Sequence, residues 1–246
     1  DRAGQMIQRC GQEIPADENP GIRLGAILGE LGKAGRDKVT LIASPPIRSF
    51  GVWVEQLVAE STGKEGKGLV PIEGEAVGPP GVYGEDRLFI YLSTASSIDR
   101  KLDKAVRALE TAGHPVVKII LRDALDLAGE FFRWEVATAV AGAILKVNPF
   151  DEPNVAESKE NTQKVLDKMP ETGGLPPQEE FGGETGKAVL RLLNQAKVSD
   201  YVALMVFLER SDVHEKLLQK IRLTIRDHLK VATTLGYGPR FLHSTG

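Results

Sequence analysis

The chain has 246 residues, 41% of them hydrophobic and 26% charged, which is the composition of a globular protein and not of a disordered tail. Lys+Arg 31 against Asp+Glu 34 leaves a net charge of −3, and this balance removes the electrostatic case for nucleic-acid binding. The longest uncharged apolar run, Val136 to Leu145, is far short of the roughly 20 residues that cross a bilayer, so no membrane partner is expected.

The opening Asp1-Arg2-Ala3-Gly4 lacks the apolar core of a secretory leader. Cys10 is the single cysteine, which excludes an internal disulfide and a cysteine-based metal site and makes a reducing cytoplasm the expected compartment. His114, His214, His228 and His243 have no metal-ligand spacing, and neither metal nor cofactor is expected. The final run Gly236-Tyr237-Gly238-Pro239-Arg240-Phe241 to Gly246 reads as a loop feeding another element, so the chain is expected to be one domain of a longer polypeptide.

Helical and strand-like segments alternate along the chain. After Asn19-Pro20, residues 21–34 place Ile22, Leu24, Ile27, Leu28 and Leu31 at helical spacing, with Gly35 as the stop. Val39 to Ala43 reads as a short buried strand, and a helix over about 48–62 is stopped by Gly63. Leu69 to Ile72 is strand-like, and Gly78 to Gly84 is a loop. Leu88 to Leu92 is an uninterrupted apolar run, as a strand covered on both faces requires. Residues 98–112 form a helix with Ile98, Leu102, Ala105, Val106 and Leu109 on one side, and Val116 to Leu121 is the next strand. This strand–helix–strand unit predicts a parallel sheet with right-handed crossovers.

An alanine-rich helix over about 125–146 follows, ended by Pro149, and a new helix starts near Pro153. Residues 170–186 form a Gly/Pro-rich surface excursion. Tyr201 to Leu208 is a last strand, and a long helix runs from Asp212. The expected architecture is a single α/β domain over 1–246, a three-layer α/β/α arrangement around a mostly parallel sheet of about five strands.

Glu60 stands near the C-terminal end of the 48–62 helix, three residues beyond Leu57 at the edge of the inward face. The negative end of the helix dipole and partial burial both disfavour a charged carboxylate there and raise its pKa, which suits a general base. The plainer alternative, a solvated carboxylate pairing with Lys64 at i+4, is the commoner outcome. Lys159 falls among Val155, Thr162 and Leu166 on its helix, which Asp151 or Glu152 caps. Its ammonium either snorkels to the edge, the commoner outcome, or enters a cleft partly desolvated.

His243 lies in a glycine-rich segment able to bring an imidazole to a cleft, although a lone loop histidine is more often incidental. His114, His214 and His228 read as structural or solvated. Ser93-Thr94-Ala95-Ser96-Ser97, between a strand and a helix, is either an anion site or N-capping by Ser96 or Ser97, and the capping reading is preferred. Lys64-Glu65-Gly66-Lys67-Gly68 follows a helix and precedes a strand, the reverse of a nucleotide-binding loop.

Two stretches together resemble the glucose-6-phosphate isomerase family. Residues 52–72 match the family's Gln-Leu-x-x-Glu-Ser-x-Gly-Lys segment at Gln56, Leu57, Glu60, Ser61, Gly63 and Lys64. Residues 147–159 match Asn-x-Phe-Asp-x-x-x-Val-x-x-x-Lys at Asn148, Phe150, Asp151, Val155 and Lys159. The region after 160 is similar to the isomerase half of bacterial bifunctional transaldolase/glucose-6-phosphate isomerase chains.

The resemblance implies a sugar isomerase (SIS) domain that interconverts glucose 6-phosphate and fructose 6-phosphate through a cis-enediol. Glu60 would move the proton between C1 and C2, Lys159 would assist ring opening near the ring oxygen, and Ser61, Gly63 and Lys64 would line the substrate. The family's ring-opening histidine, in a Gly-x-x-Gly-Gln-His setting, has no counterpart between Glu60 and Lys159; His243 is the candidate replacement. The family's phosphate-binding cluster belongs to a first SIS domain not found in this chain, so that missing domain and a homodimer are the implied partners. A non-catalytic sugar-phosphate-binding module is the alternative reading.

Overall fold

The computed structural model describes residues 1–97, 99–151, 153–174 and 184–241. The chain divides into two compact units, residues 1–149 together with 198–246, and residues 150–197.

In the first unit a four-stranded parallel sheet has the order β2-β1-β3-β4, with β1 Lys38–Ala43, β2 Val70–Ile72, β3 Arg87–Thr94 and β4 Val116–Leu121. The central strands are buried almost throughout, and successive side chains go to opposite faces with the period of two that a pleated strand imposes. Val39, Leu41, Leu88, Ile90 and Leu92 pack with α2 (Pro20–Lys33), α3 (Phe50–Thr62) and α5 (Leu127–Leu145). Ile42, Phe89 and Tyr91 pack with Val106 and Leu109 of α4 (Arg100–Thr111) and with Tyr83. Helices therefore cover both faces, which is why Leu88 to Leu92 of β3 is an uninterrupted apolar run. The three-layer arrangement is the expected one.

Sequence chemistry accounts for the helix ends. Asn19 accepts from the backbone N–H of Gly21 at 3.1 Å and of Ile22 at 3.0 Å, with Pro20 opening α2. Asp99, not Ser96 or Ser97, caps α4, accepting from Lys101 and Leu102. A carboxylate at that position sits where the positive end of the helix dipole favours it. Ile98, expected on this helix, lies outside the described residues.

The alanine-rich α5 packs on a glycine stripe of α2. A Cβ at Gly25 would stand 2.5 Å from the Ala137 carbonyl oxygen, and one at Gly21 2.6 Å from Val136 Cγ1, so only glycine admits this approach. The short α1 (Arg2–Arg9) is not foreshadowed by its polar sequence; Met6 alone is buried, against Gly129 of α5.

The last expected strand does not join the main sheet. β5 (Tyr201–Val206) pairs in parallel with β6 (Ala232–Tyr237), and α8 (Asp212–Leu229) forms the crossover between them. The main sheet thus has four strands where about five are expected from sequence. The reason is local: Ala-Thr-Thr-Leu-Gly-Tyr carries little apolar patterning, so the partner strand of β5 does not read as a strand.

The second unit holds α6 (Pro153–Thr172) and α7 (Thr185–Leu193), the latter unexpected from sequence. Pro153 opens α6 as predicted, while Glu152, one of its two candidate caps, lies outside the described residues, as does 175–183 of the Gly/Pro-rich excursion. None of this unit's described residues is buried. Solvated pairs such as Lys164–Glu160 at 2.8 Å and Lys187–Glu184 at 2.7 Å run along its surface. Among the described residues, no helix is long and apolar enough to cross a membrane.

Candidate functional site

The loop leaving α3 is built around Gly63, Gly66 and Gly68 and one hydroxyl. The Thr62 hydroxyl donates to the Val58 carbonyl at 2.7 Å and accepts from the Leu69 N–H at 3.0 Å, which folds the loop back onto the helix end. Gly63 N–H donates to the Ala59 carbonyl, and Lys67 N–H to the Lys64 carbonyl. Gly68 takes φ +132°, and a Cβ there would stand 2.8 Å from Gly63 Cα, so the close return of the chain requires glycine at this point.

Lys64 is 5% exposed and its Nζ donates to the Asn148 carbonyl at 2.7 Å. The two stretches singled out in the sequence, around Glu60 and around Asn148, are therefore in direct contact. Burying an ammonium is costly without a hydrogen-bond acceptor, and the carbonyl supplies one. Lys64 is thus not the i+4 partner of Glu60; among the described residues, Glu60 enters no ion pair.

Glu60 itself is exposed. Partial burial is the expectation from sequence, but α3 presents Phe50, Gly51, Val54, Glu55, Val58 and Thr62 to the interior. At about 100° per residue, Glu60 lies roughly 140° round the helix from Glu55, outside that stripe. The carboxylate that burial raises on this helix is Glu55, 5% exposed, with Arg240 pulling the other way. Sequence reasoning passes over Glu55; a carboxylate at helical spacing with Gly51 and Val58 is the available signal.

Close to Glu55, Glu73 follows β2. Burial raises its pKa first and the Glu55 charge adds to this, against the pull of Arg222, Arg240 and Arg210. Behind it lies a second buried ionic cluster. Arg87 contacts both oxygens of Glu75 at 3.3 Å and the Thr40 hydroxyl at 2.8 Å; Arg226 stands 3.7 Å from Glu75; the Thr233 hydroxyl donates to Glu75 at 3.1 Å. Arg222 donates to the Thr233 carbonyl at 2.8 Å and the Glu73 carbonyl at 2.7 Å. This network joins β3 of the first sheet to β6 of the second. A basic residue heading the apolar run Leu88 to Leu92 is its one trace in the sequence.

Ser61 and Gly63 are half-buried beside Glu60 on the same turn of chain. Lys159 is carried by the other unit, exposed on α6, where Leu166 is 50% exposed and Thr162 is exposed too. Its apolar stripe is open, so the desolvated ammonium weighed from sequence is not what the structure has. His243 lies outside the described residues. His114 is structural, with Nε2 3.2 Å from the Pro80 carbonyl and its ring against Tyr83 and Phe89. Among the described residues, no group of His, Cys, Asp or Glu is arranged to hold a metal ion.

No family model matches the chain. It is similar to a glucose-6-phosphate isomerase from Rubrobacter xylanophilus, 31% identical over 195 residues that cover 63% of this chain and 45% of that enzyme. It is similar also to a glucose-6-phosphate isomerase from Enterococcus faecalis, 24% identical over 203 residues, covering 68% of this chain and 45% of that enzyme. The chain thus spans about half the length of the curated relatives it matches. A solved structure of a hypothetical protein from Thermus thermophilus shares the fold with a TM-score of 0.56 at 17% identity, covering 67% of this chain and 49% of that one.

Proposed function

We propose that this chain is the sugar isomerase portion of an aldose–ketose isomerase that interconverts glucose 6-phosphate and fructose 6-phosphate. The contact of Lys64 with Asn148 carries the reading, because it brings together the two segments in which the resemblance to glucose-6-phosphate isomerases resides. Similarity to curated enzymes of that name supports the substrate class.

In this reading Glu60 is the general base. It removes the proton from C2 of the open-chain aldose, leaving a cis-enediol, and returns it to C1 to give the ketose. An exposed carboxylate with no ion pair among the described residues is open to a substrate and keeps its lone pairs for that proton. Ser61, Gly63 and Lys64 frame the substrate from the loop. Lys159 places a cation by the ring oxygen, and His243 assists ring opening. A first SIS domain completes the phosphate site, the assembly is a homodimer, and it works in the cytoplasm; fusion to a transaldolase fits the likeness of the region after 160.

The deciding experiment is Glu60→Gln in the full-length protein, with isomerisation followed in both directions. A fall in kcat of about 10²–10⁴-fold with the fold retained is expected for loss of a general base. Turnover within a few-fold of wild type would remove Glu60 from the mechanism. A wild-type protein that is stabilised thermally by glucose 6-phosphate but never turns it over would instead identify a sugar-phosphate-binding module.

A further inference from the structure

The helix that carries Glu60 is held by a residue near the far end of the chain. Arg240 donates from Nη1 to Glu55 Oε1 at 3.0 Å and from Nη2 to the Val52 carbonyl at 2.8 Å. Val52 and Glu55 are three residues apart and so share one side of α3. A planar guanidinium spans both acceptors at once, whereas the single ammonium of a lysine does not. Glu73 presses on the same turn: a Cβ at Gly51 would stand 2.9 Å from Glu73 Cγ. At its other end α3 is closed by the Thr62 hydroxyl and the Gly63–Gly68 contact.

Gripping a helix from the side fixes both its rotation and its slide along its axis. Side chains reach roughly 5–6 Å from a helix axis, so a rotation of about 10° carries a carboxylate about 1 Å. A misplacement of that size costs about 10²-fold in rate. The Arg240 grip is five to eight residues from Glu60, roughly 7.5–12 Å along the axis at 1.5 Å per residue. That is too far for Arg240 to act on Glu60 directly and close enough to set its position through α3.

We propose that Arg240 is a positioning residue for the isomerisation, holding α3 through Glu55 and the Val52 carbonyl so that the Glu60 carboxylate meets the substrate carbons. This rests on the reading of Glu60 as the base.

The test compares full-length wild type, Arg240→Ala, Arg240→Lys and Glu55→Gln, each also combined with Glu60→Gln, using glucose 6-phosphate as substrate and circular dichroism to establish the folded fraction. Arg240→Ala is expected to lower kcat by about 10–100-fold with KM within about twofold. Arg240→Lys keeps the charge toward Glu55 but loses one acceptor, and is expected to fall between wild type and Arg240→Ala; it also serves if Arg240→Ala does not fold. In the Glu60→Gln background neither substitution should lower the residual rate further, because the group being positioned is gone.

Wild-type kcat in a folded Arg240→Lys or Arg240→Ala, with only thermal stability reduced, would overturn the proposal. So would an equal loss in the Glu60→Gln background. A folded Glu60→Gln enzyme with normal turnover would instead bring down the functional reading, and this inference with it.

Discussion

Lys64 Nζ and the carbonyl oxygen of Asn148 are 2.7 Å apart, although 84 positions separate the two residues in the chain. The bond crosses from the loop that leaves α3 to the segment that follows α5. It makes the position of one candidate motif depend on the other.

Replacing Lys64 by methionine keeps most of the side-chain volume and removes the donor. The Asn148 carbonyl then loses that donor, and a loss of about 1–3 kcal/mol is expected, measured by chemical denaturation. Because Lys64 and its loop line the proposed substrate site, the proposed isomerisation by the full-length protein should fall in the same variant by more than its folded fraction accounts for. Stability equal to wild type would mean that the contact contributes nothing net.

Among the described residues, Arg87 and Glu75 form the most deeply buried ion pair, with side chains 1% and 0% exposed. Removing one partner of such a pair leaves an uncompensated charge in the interior, at a cost of about 3–5 kcal/mol. Arg87→Met should therefore be strongly destabilising, whereas Arg87→Met with Glu75→Gln should recover part of the loss. Denaturation midpoints of the two variants give the comparison, and a double variant no better than the single would show that Thr40, Thr233 and Arg226 matter more than the pair.

Glu73 gives a prediction in pH. Burial and the neighbouring Glu55 raise its pKa in the folded state above the ordinary 4.5. Between that ordinary value and the raised one, the folded state binds more protons than the unfolded state, so stability falls as pH rises through the window. Glu73→Gln removes the titration. The variant should match wild type below pH 4.5 and become the more stable of the two as pH rises through the raised pKa of Glu73. Parallel thermal midpoints across that range would show that Glu73 does not titrate abnormally.

Much of the layered core was legible in the sequence. Leu88 to Leu92 is the uninterrupted apolar run that suits a strand covered on both faces. Val39 to Ala43 and Val116 to Leu121 also read as strands, and all three are strands of the sheet, with Lys118 and Ile120 of the last one exposed. Asn19-Pro20 marks the start of α2 because its chemistry is local: a side-chain acceptor and a preset φ within three residues. The motif around Glu60 was visible for the same reason, since its residues lie within the end of one helix and the loop after it. β6 was not visible, because two threonines and a glycine have no periodicity and become a strand only against β5.

By itself, then, the amino-acid order determined most of the strands and helices around the main sheet, the Asn19 cap of α2, and the glycines on which the loop after α3 turns. Tertiary structure alone decided which charges are buried and which are free. The partners of Glu55, Lys64 and Glu75 lie 185, 84 and 12 or more positions away, and no short window of sequence contains both members of such a pair. A charged side chain reads as solvated until its acceptor is known, because burial is favourable only where the fold has delivered the opposite group to it.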